Sequence, residues 1–168
     1  MNANSTNIIH LQWSGPFSWA EKDKLNQNKD YGIYQVYGCH SIYGVDVLLY
    51  IGKASKQTFA VRLKQHWEYP AHQDFERVSI YVGRCSGWNG TPSNDIWEEQ
   101  IDLAEKLLIL SAMPAYNAQK RIDINDPRLR GLHVLNWGCY RSLLPEASGR
   151  RYSSEFYDET NYKPFGAE

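Results

Sequence analysis

From Gly32 to Gly38 the side chains sort by alternation, with Ile33, Gln35 and Tyr37 on one face and Tyr34, Val36 and Gly38 on the other. That is the period of a β-strand. Val47 to Ile51 is apolar without alternation, which predicts a strand buried on both sides rather than an edge. Cys39 to Asp46 joins the two stretches, longer than a tight turn and containing Gly44. The pair therefore reads as a β-hairpin whose register is set by its strands. Arg77 to Cys85 alternates again, Val78, Ile80 and Val82 against Ser79, Tyr81 and Gly83, and predicts a third strand. Two stretches carry the helical period instead. Gln57 to Glu68, closed by Pro70, places Phe59, Leu63, His66 and Trp67 on one partly apolar side and Arg62 one turn from His66. Asp95 to Ala112, closed by Pro114, repeats Trp97, Ile101, Ala104, Leu108 and Ser111, with Asp95 and Glu98 charging its first turn. Glu105 stands at the border of that stripe, beside Ile101 and Leu108. It reads either as a carboxylate held by the core and facing a cleft or as a solvated rim group paired with Lys106.

The flanks are less regular. Residues 1–30 read as an arm with a turn at Gly15-Pro16 and a short helix that fades near Asn26. The helix is announced by Ser18-Trp19-Ala20-Glu21, the spacing of a capping box. Trp13, Phe17 and Trp19 are expected to pin the arm to the core. Residues 31–119 form the core, with a loop from Ser86 to Asn94, and residues 120–168 an extension packed on it. In the extension, Asn125-Asp126-Pro127 marks a turn, Leu132 to Trp137 a short strand or helix, and Leu144 to Arg151 a polar loop.

Composition narrows the partners. With 168 residues, 42% of them hydrophobic, the chain can bury the core of a single domain. Eighteen basic residues meet 19 acidic ones, for a net charge of -1, which argues against nucleic acid unless a local patch supplies the phosphate contacts. Arg128, Arg130, Arg141, Arg150 and Arg151 are the candidates for that patch, and a solvated surface explains them equally well. The six Trp and twelve Tyr serve packing first and base stacking second. Cys39, Cys85 and Cys139 are widely spaced with no CxxC pair and read as reduced thiols. No basic start followed by an apolar run opens the chain, and no stretch reaches membrane-spanning length, so a cytoplasmic location is expected.

Gly32-Ile33-Tyr34 and Tyr50-Ile51-Gly52 are followed by Lys53, by Arg62 and His66, by Glu105, and by Asn117 within Tyr116-Asn117-Ala118. In that order and with those residue types, the chain resembles the GIY-YIG nuclease family over roughly Tyr31 to Gln119. Each tripeptide alone is a weak signal, and the ordered series is a strong one. The resemblance implies an α+β fold, a small three-stranded, mainly antiparallel sheet flanked by helices. It also implies a magnesium-dependent endonuclease, with Mn²⁺ a possible substitute, that hydrolyses phosphodiester bonds of double-stranded DNA. A compact chain of this kind sits nearest a restriction or defence nuclease. A catalytically silent nucleic-acid-binding domain and a repair or structure-specific nuclease are the alternatives, and cutting both strands would take a homodimer or two nicks. Glu105 is then the single metal carboxylate, which suits an ion that keeps most of its waters. Arg62 supplies a permanent planar charge to the transition state. Asn117 orients Glu105, a backbone group or the substrate. Tyr34 or Tyr50 stands near the attacking water, and because a phenol is a poor base at neutral pH, Lys53 or His66 must assist it, with Tyr34 and His66 the favoured pair.

Overall fold

The computed structural model describes residues 7–67, 77–86, 93–117 and 126–152. Six strands form one mixed sheet, curled into a half-barrel, in the order β3-β2-β4-β1-β5-β6. They are β1 (Asn7–Ser18), β2 (Gly32–His40), β3 (Gly44–Ala54), β4 (Ser79–Ser86), β5 (Leu132–Gly138) and β6 (Glu146–Ser148). The described α-helices are α1 (Phe59–Trp67) and α2 (Asn94–Ala112). This corrects the expectation of a small three-stranded sheet flanked by helices. The sheet is twice as wide because the arm and the extension both enter it.

Most of the arm is strand. Ile9, Leu11 and Trp13 alternate with exposed or half-buried neighbours and sink into the larger hydrophobic cluster, so β1 has a period-two pattern of its own. It runs antiparallel to β4 and parallel to β5, and this parallel pair makes the sheet mixed. The register slips between Ser14 and Phe17, and beyond the slip Phe17 packs with the second cluster instead. A bulge therefore moves the strand's apolar side chains from one face to the other. The predicted capping box is present, with the Glu21 carboxylate accepting from the Ser18 amide at 3.0 Å, and the turn it starts is a 3-10 helix over Trp19–Lys24. Trp13 is pinned as expected, but to the extension: its indole Nε1 donates to Asn136 on β5 at 2.8 Å.

The hairpin divides its side chains between the faces as the alternation requires. Ile33 and Tyr37 join α2 and β1 in the larger cluster, while Tyr34 and Val36 join Phe59 and Leu63 of α1 in the second. Its turn is shorter than expected, because β2 runs to His40 and β3 begins at Gly44, two residues that pair with each other. The apolar run of β3 also has a different cause from the one predicted. β3 is the outermost strand, and the segment after α2 covers its edge: Tyr116 N donates to Leu49 O at 2.8 Å, and the Asn117 side chain takes both backbone groups of Ile51. With helices on both faces and this cover on the edge, an edge strand acquires the composition of a central one.

Two further regions refine the expectations. β4 is the third predicted strand shifted by two residues at its start and one at its end, and α2 matches its predicted helix to within one residue. Leu132 to Trp137 resolves to strand, with Leu132, Val134 and Asn136 buried. Residues 68–76, 87–92, 118–125 and 153–168 lie outside the described residues. Among the described residues no helix is long and apolar enough to cross a membrane. The three cysteines are free thiols, Cys39 and Cys139 exposed and Cys85 half-buried. Burial pushes the Cys85 thiol up to about 12.

Candidate active site

Tyr34 and Tyr50 lie on the same face of the hairpin, because Tyr34 pairs with Gly52 and Val36 with Tyr50 across an antiparallel ladder. Their ring centroids are 6.1 Å apart, and Phe59 of α1 meets the Tyr34 ring edge-on at 6.5 Å. Gly52 is required between them. A Cβ there would stand 2.5 Å from the Tyr34 hydroxyl oxygen and 2.6 Å from Cε1 of Tyr50. Tyr34 is fully buried and its hydroxyl meets no partner in full hydrogen-bonding geometry, the one buried side-chain polar atom in that condition among the described residues, with the Arg62 guanidinium close enough to act on it as a donor.

The surrounding charges converge on these hydroxyls. Burial raises the Tyr34 pKa strongly, Tyr50 and Glu105 add to the rise, and the Arg62 guanidinium opposes it. Tyr50 is raised too, by burial first and then by Glu105, again against Arg62. Residues from β2, β3, α1 and α2 thus perturb one another across a single site, and both phenols are protonated at neutral pH. Glu105 is buried, which settles its place at the border of the α2 stripe in favour of the core over a solvated rim. Its Oε2 lies 3.4 Å from the Lys53 ammonium.

Lys53 also bonds to Asp102, one turn before Glu105 on α2, and Asp102 in turn accepts from Lys106 at 3.0 Å. Burial would lower the Lys53 pKa, but the Asp102 hydrogen bond and the Glu105 charge outweigh it and raise it. For Asp102 burial is likewise outweighed, here by Lys53 and Lys106, and its carboxyl is held below the usual range. Sequence reasoning passed over Asp102. Its signal was the Asp102-x-x-Glu105 spacing, which sets two carboxylates on one helical face with Lys53 facing both.

Asn117 is drawn in through its backbone partners. Its Oδ1 accepts from Ile51 N at 2.9 Å, and its Nδ2 donates to Ile51 O at 2.8 Å. Of the three roles open to it, holding a backbone group is the one it performs, fixing β3 between Tyr50 and Gly52. His66 belongs to α1 one turn after Arg62, and its side chain lies outside the described residues, so its expected partnership with Tyr34 has no geometry here.

Two arginines of the extension are held in ion pairs. Arg128 binds Asp126 at 2.7 Å and Glu99 at 3.2 Å, while Arg141 binds Asp46 at 2.7 Å and lies over the ring of Tyr37. Among the described residues no group of three or more His, Cys, Asp and Glu side chains could hold a metal on its own. Magnesium requires less than that: one or two carboxylates, with water and substrate oxygens completing its shell. Glu105 and Asp102 answer that requirement, since one cation, the Lys53 ammonium, already reaches both. No family model, curated protein or solved structure matches this chain.

Proposed function

We propose that the chain is a magnesium-dependent endonuclease of the GIY-YIG type acting on DNA. One observation carries the reading. A buried, unpartnered tyrosine hydroxyl sits over Gly52 with a second tyrosine, an arginine and a buried glutamate near enough to shift its titration. A folded core leaves a polar atom unpaired at a cost of about 1–3 kcal/mol, so a position of this kind points to a group supplied from outside.

In the proposed reaction that group is the attacking water, which donates to the Tyr34 oxygen. Arg62 offers its planar fork to the nonbridging oxygens of the scissile phosphate, where negative charge grows as the P–O bond to the leaving group breaks. Tyr50, protonated and half-buried, is a donor to the same phosphate. Lys53 stays cationic and compensates the buried Glu105 charge, leaning on Asp102 when Glu105 turns to another cation. His66 is the expected acceptor of the water proton, one helical turn from Arg62. Glu105, with Asp102 beside it, would hold the magnesium ion, which when bound supplies Lewis-acid stabilisation of the phosphoryl oxygens and leaving group.

A second reading has its own support. The Lys53 ammonium already compensates Glu105, and Asn117 is consumed by the backbone of β3, which suits a domain that binds nucleic acid without cutting it. Plasmid DNA incubated with and without Mg²⁺ separates the two, alongside Glu105→Ala. The nuclease reading expects cutting by wild type only with metal and none by the variant. A wild type inert on duplex, branched and single-stranded DNA and on RNA, yet retained on DNA at low salt, leaves the binding reading.

A further inference from the structure

Beside the tyrosine site lies a cleft of about 720 Å³. It shares two walls with that site. Ser55 and Lys56 follow directly on the end of β3 at Lys53 and Ala54, and on α2, Glu98 and Ile101 precede Asp102 and Glu105 by one turn. Tyr31 and Trp97, both half-buried, bring aromatic rings to its lining, and Lys29, Lys56 and Arg84 bring cations.

The charges are not equivalent. Arg84 is tied to the buried Asp30, so it holds the wall together. Lys56 pairs with Glu98 at 3.0 Å, with side chains 77% and 43% exposed, an arrangement that a stronger anion can replace. Lys29 is exposed and has no ionic partner among the described residues, which leaves the lining one positive charge in excess. The first turn of α2 opens here at Asn94, and Ser93 does not cap it through its side chain, so helix amides add to the positive end.

We propose that this cleft holds one unstacked nucleotide of the substrate strand, its base against Tyr31 and Trp97 and its phosphate toward Lys29 and Lys56. The identity of the strand rests on the nuclease reading; the nucleotide chemistry does not. A single extruded nucleotide, with its base and its phosphate both free, matches the aromatic and the cationic parts of this lining. Ser55 and Lys56, two and three residues beyond Lys53, place that nucleotide on the Lys53 side of the site.

The test is a titration of the full chain with deoxyadenosine monophosphate, followed by tryptophan fluorescence and repeated with deoxyadenosine and with inorganic phosphate. Saturable quenching is expected with the nucleotide, lost in Trp97→Phe, with each half-ligand at least about tenfold weaker. Lys29→Glu, an exposed change that leaves the core alone, is expected to weaken nucleotide binding about tenfold through one lost charge-assisted contact. Absence of saturation up to about 10 mM, phosphate binding as tightly as the nucleotide, or an unchanged Lys29→Glu each overturns the proposal. Plasmid cutting without nucleotide binding removes the cleft and keeps the nuclease. Nucleotide binding without cutting of any nucleic acid removes the nuclease and keeps the cleft as a nucleotide site.

Discussion

On the nuclease reading, the Tyr34 hydroxyl sets stability against activity at a single atom. Deleting it in Tyr34→Phe removes an unpaired buried oxygen, so the variant is expected to gain about 1 kcal/mol, read as a higher urea midpoint at an unchanged slope. Cutting is expected to fall by at least about 100-fold in the same protein. A destabilised and still active variant would remove Tyr34 from the site. Arg62→Lys retains the charge and loses the planar fork, and we expect cutting to drop by about 100-fold with the melting temperature unchanged. Much at this scale was legible in the sequence. Tyr34, Tyr50, Lys53, Arg62 and Glu105 were singled out by type and order; Tyr50, Arg62 and Glu105 all act on the titration of Tyr34, and Lys53 pairs with Glu105. Asp102 was not, because a carboxylate on a helix flank looks like any solvated one until Lys53 is known to stand across from it. The Ile51 clamp was also hidden, since the backbone groups it binds carry no mark in the residue string.

At the level of the element, β3 has an edge that its own sequence does not protect. Asn117 supplies the protection, and Asn117→Ala strips two partners from a buried strand at once. A loss of about 1–3 kcal/mol is expected, with hydrogen exchange at Ile51 and its neighbours accelerating beyond what the global change explains. An unaltered exchange pattern would make the clamp incidental. β4 could be read directly because Ile80 and Val82 alternate with Ser79, Tyr81 and Gly83, and β2 because Ile33 to Tyr37 is rich in β-prone residues. β1 escaped because Gly15-Pro16 and its polar alternates, His10, Gln12 and Ser14, give it the texture of a linker. β5 escaped because Leu132 to Trp137 is too short for periodicity to choose between strand and helix.

Across the whole molecule, ion pairs link the outer strand to the extension. Lys53 joins Asp102, Asp102 joins Lys106, Lys106 joins Asp126 at 3.3 Å, and Arg128 joins Asp126 to Glu99. Asp102 is held low because Lys53 and Lys106 outweigh its burial, and Asp126 is held low chiefly by its Arg128 hydrogen bond. A carboxyl depressed in the folded state adds stability that is complete above its unfolded pKa, about 3.9, and is lost as pH falls through the folded value. Lys53, raised, adds stability below about 10.4 that is lost as pH climbs past its folded value. Melting temperatures from pH 7 to 2 should therefore decline less steeply in Asp102→Asn than in wild type, from a lower starting point. Parallel curves would mean that the chain of pairs contributes nothing.

The parallel pairing of β1 with β5 sets an order of assembly. Trp13 waits for Asn136, a partner 123 residues further along the chain. The hairpin closes through a short turn and β4 is complete by Ser86, while β1 gains its second neighbour only when the last third of the chain is being made. In the interval one side of β1 is an open ladder with Ile9, Leu11 and Trp13 uncovered, the kind of surface on which unfinished chains stick to one another. Slow folding and losses to aggregation during synthesis follow from that topology, and lowering the temperature of expression should recover soluble protein without any change of sequence.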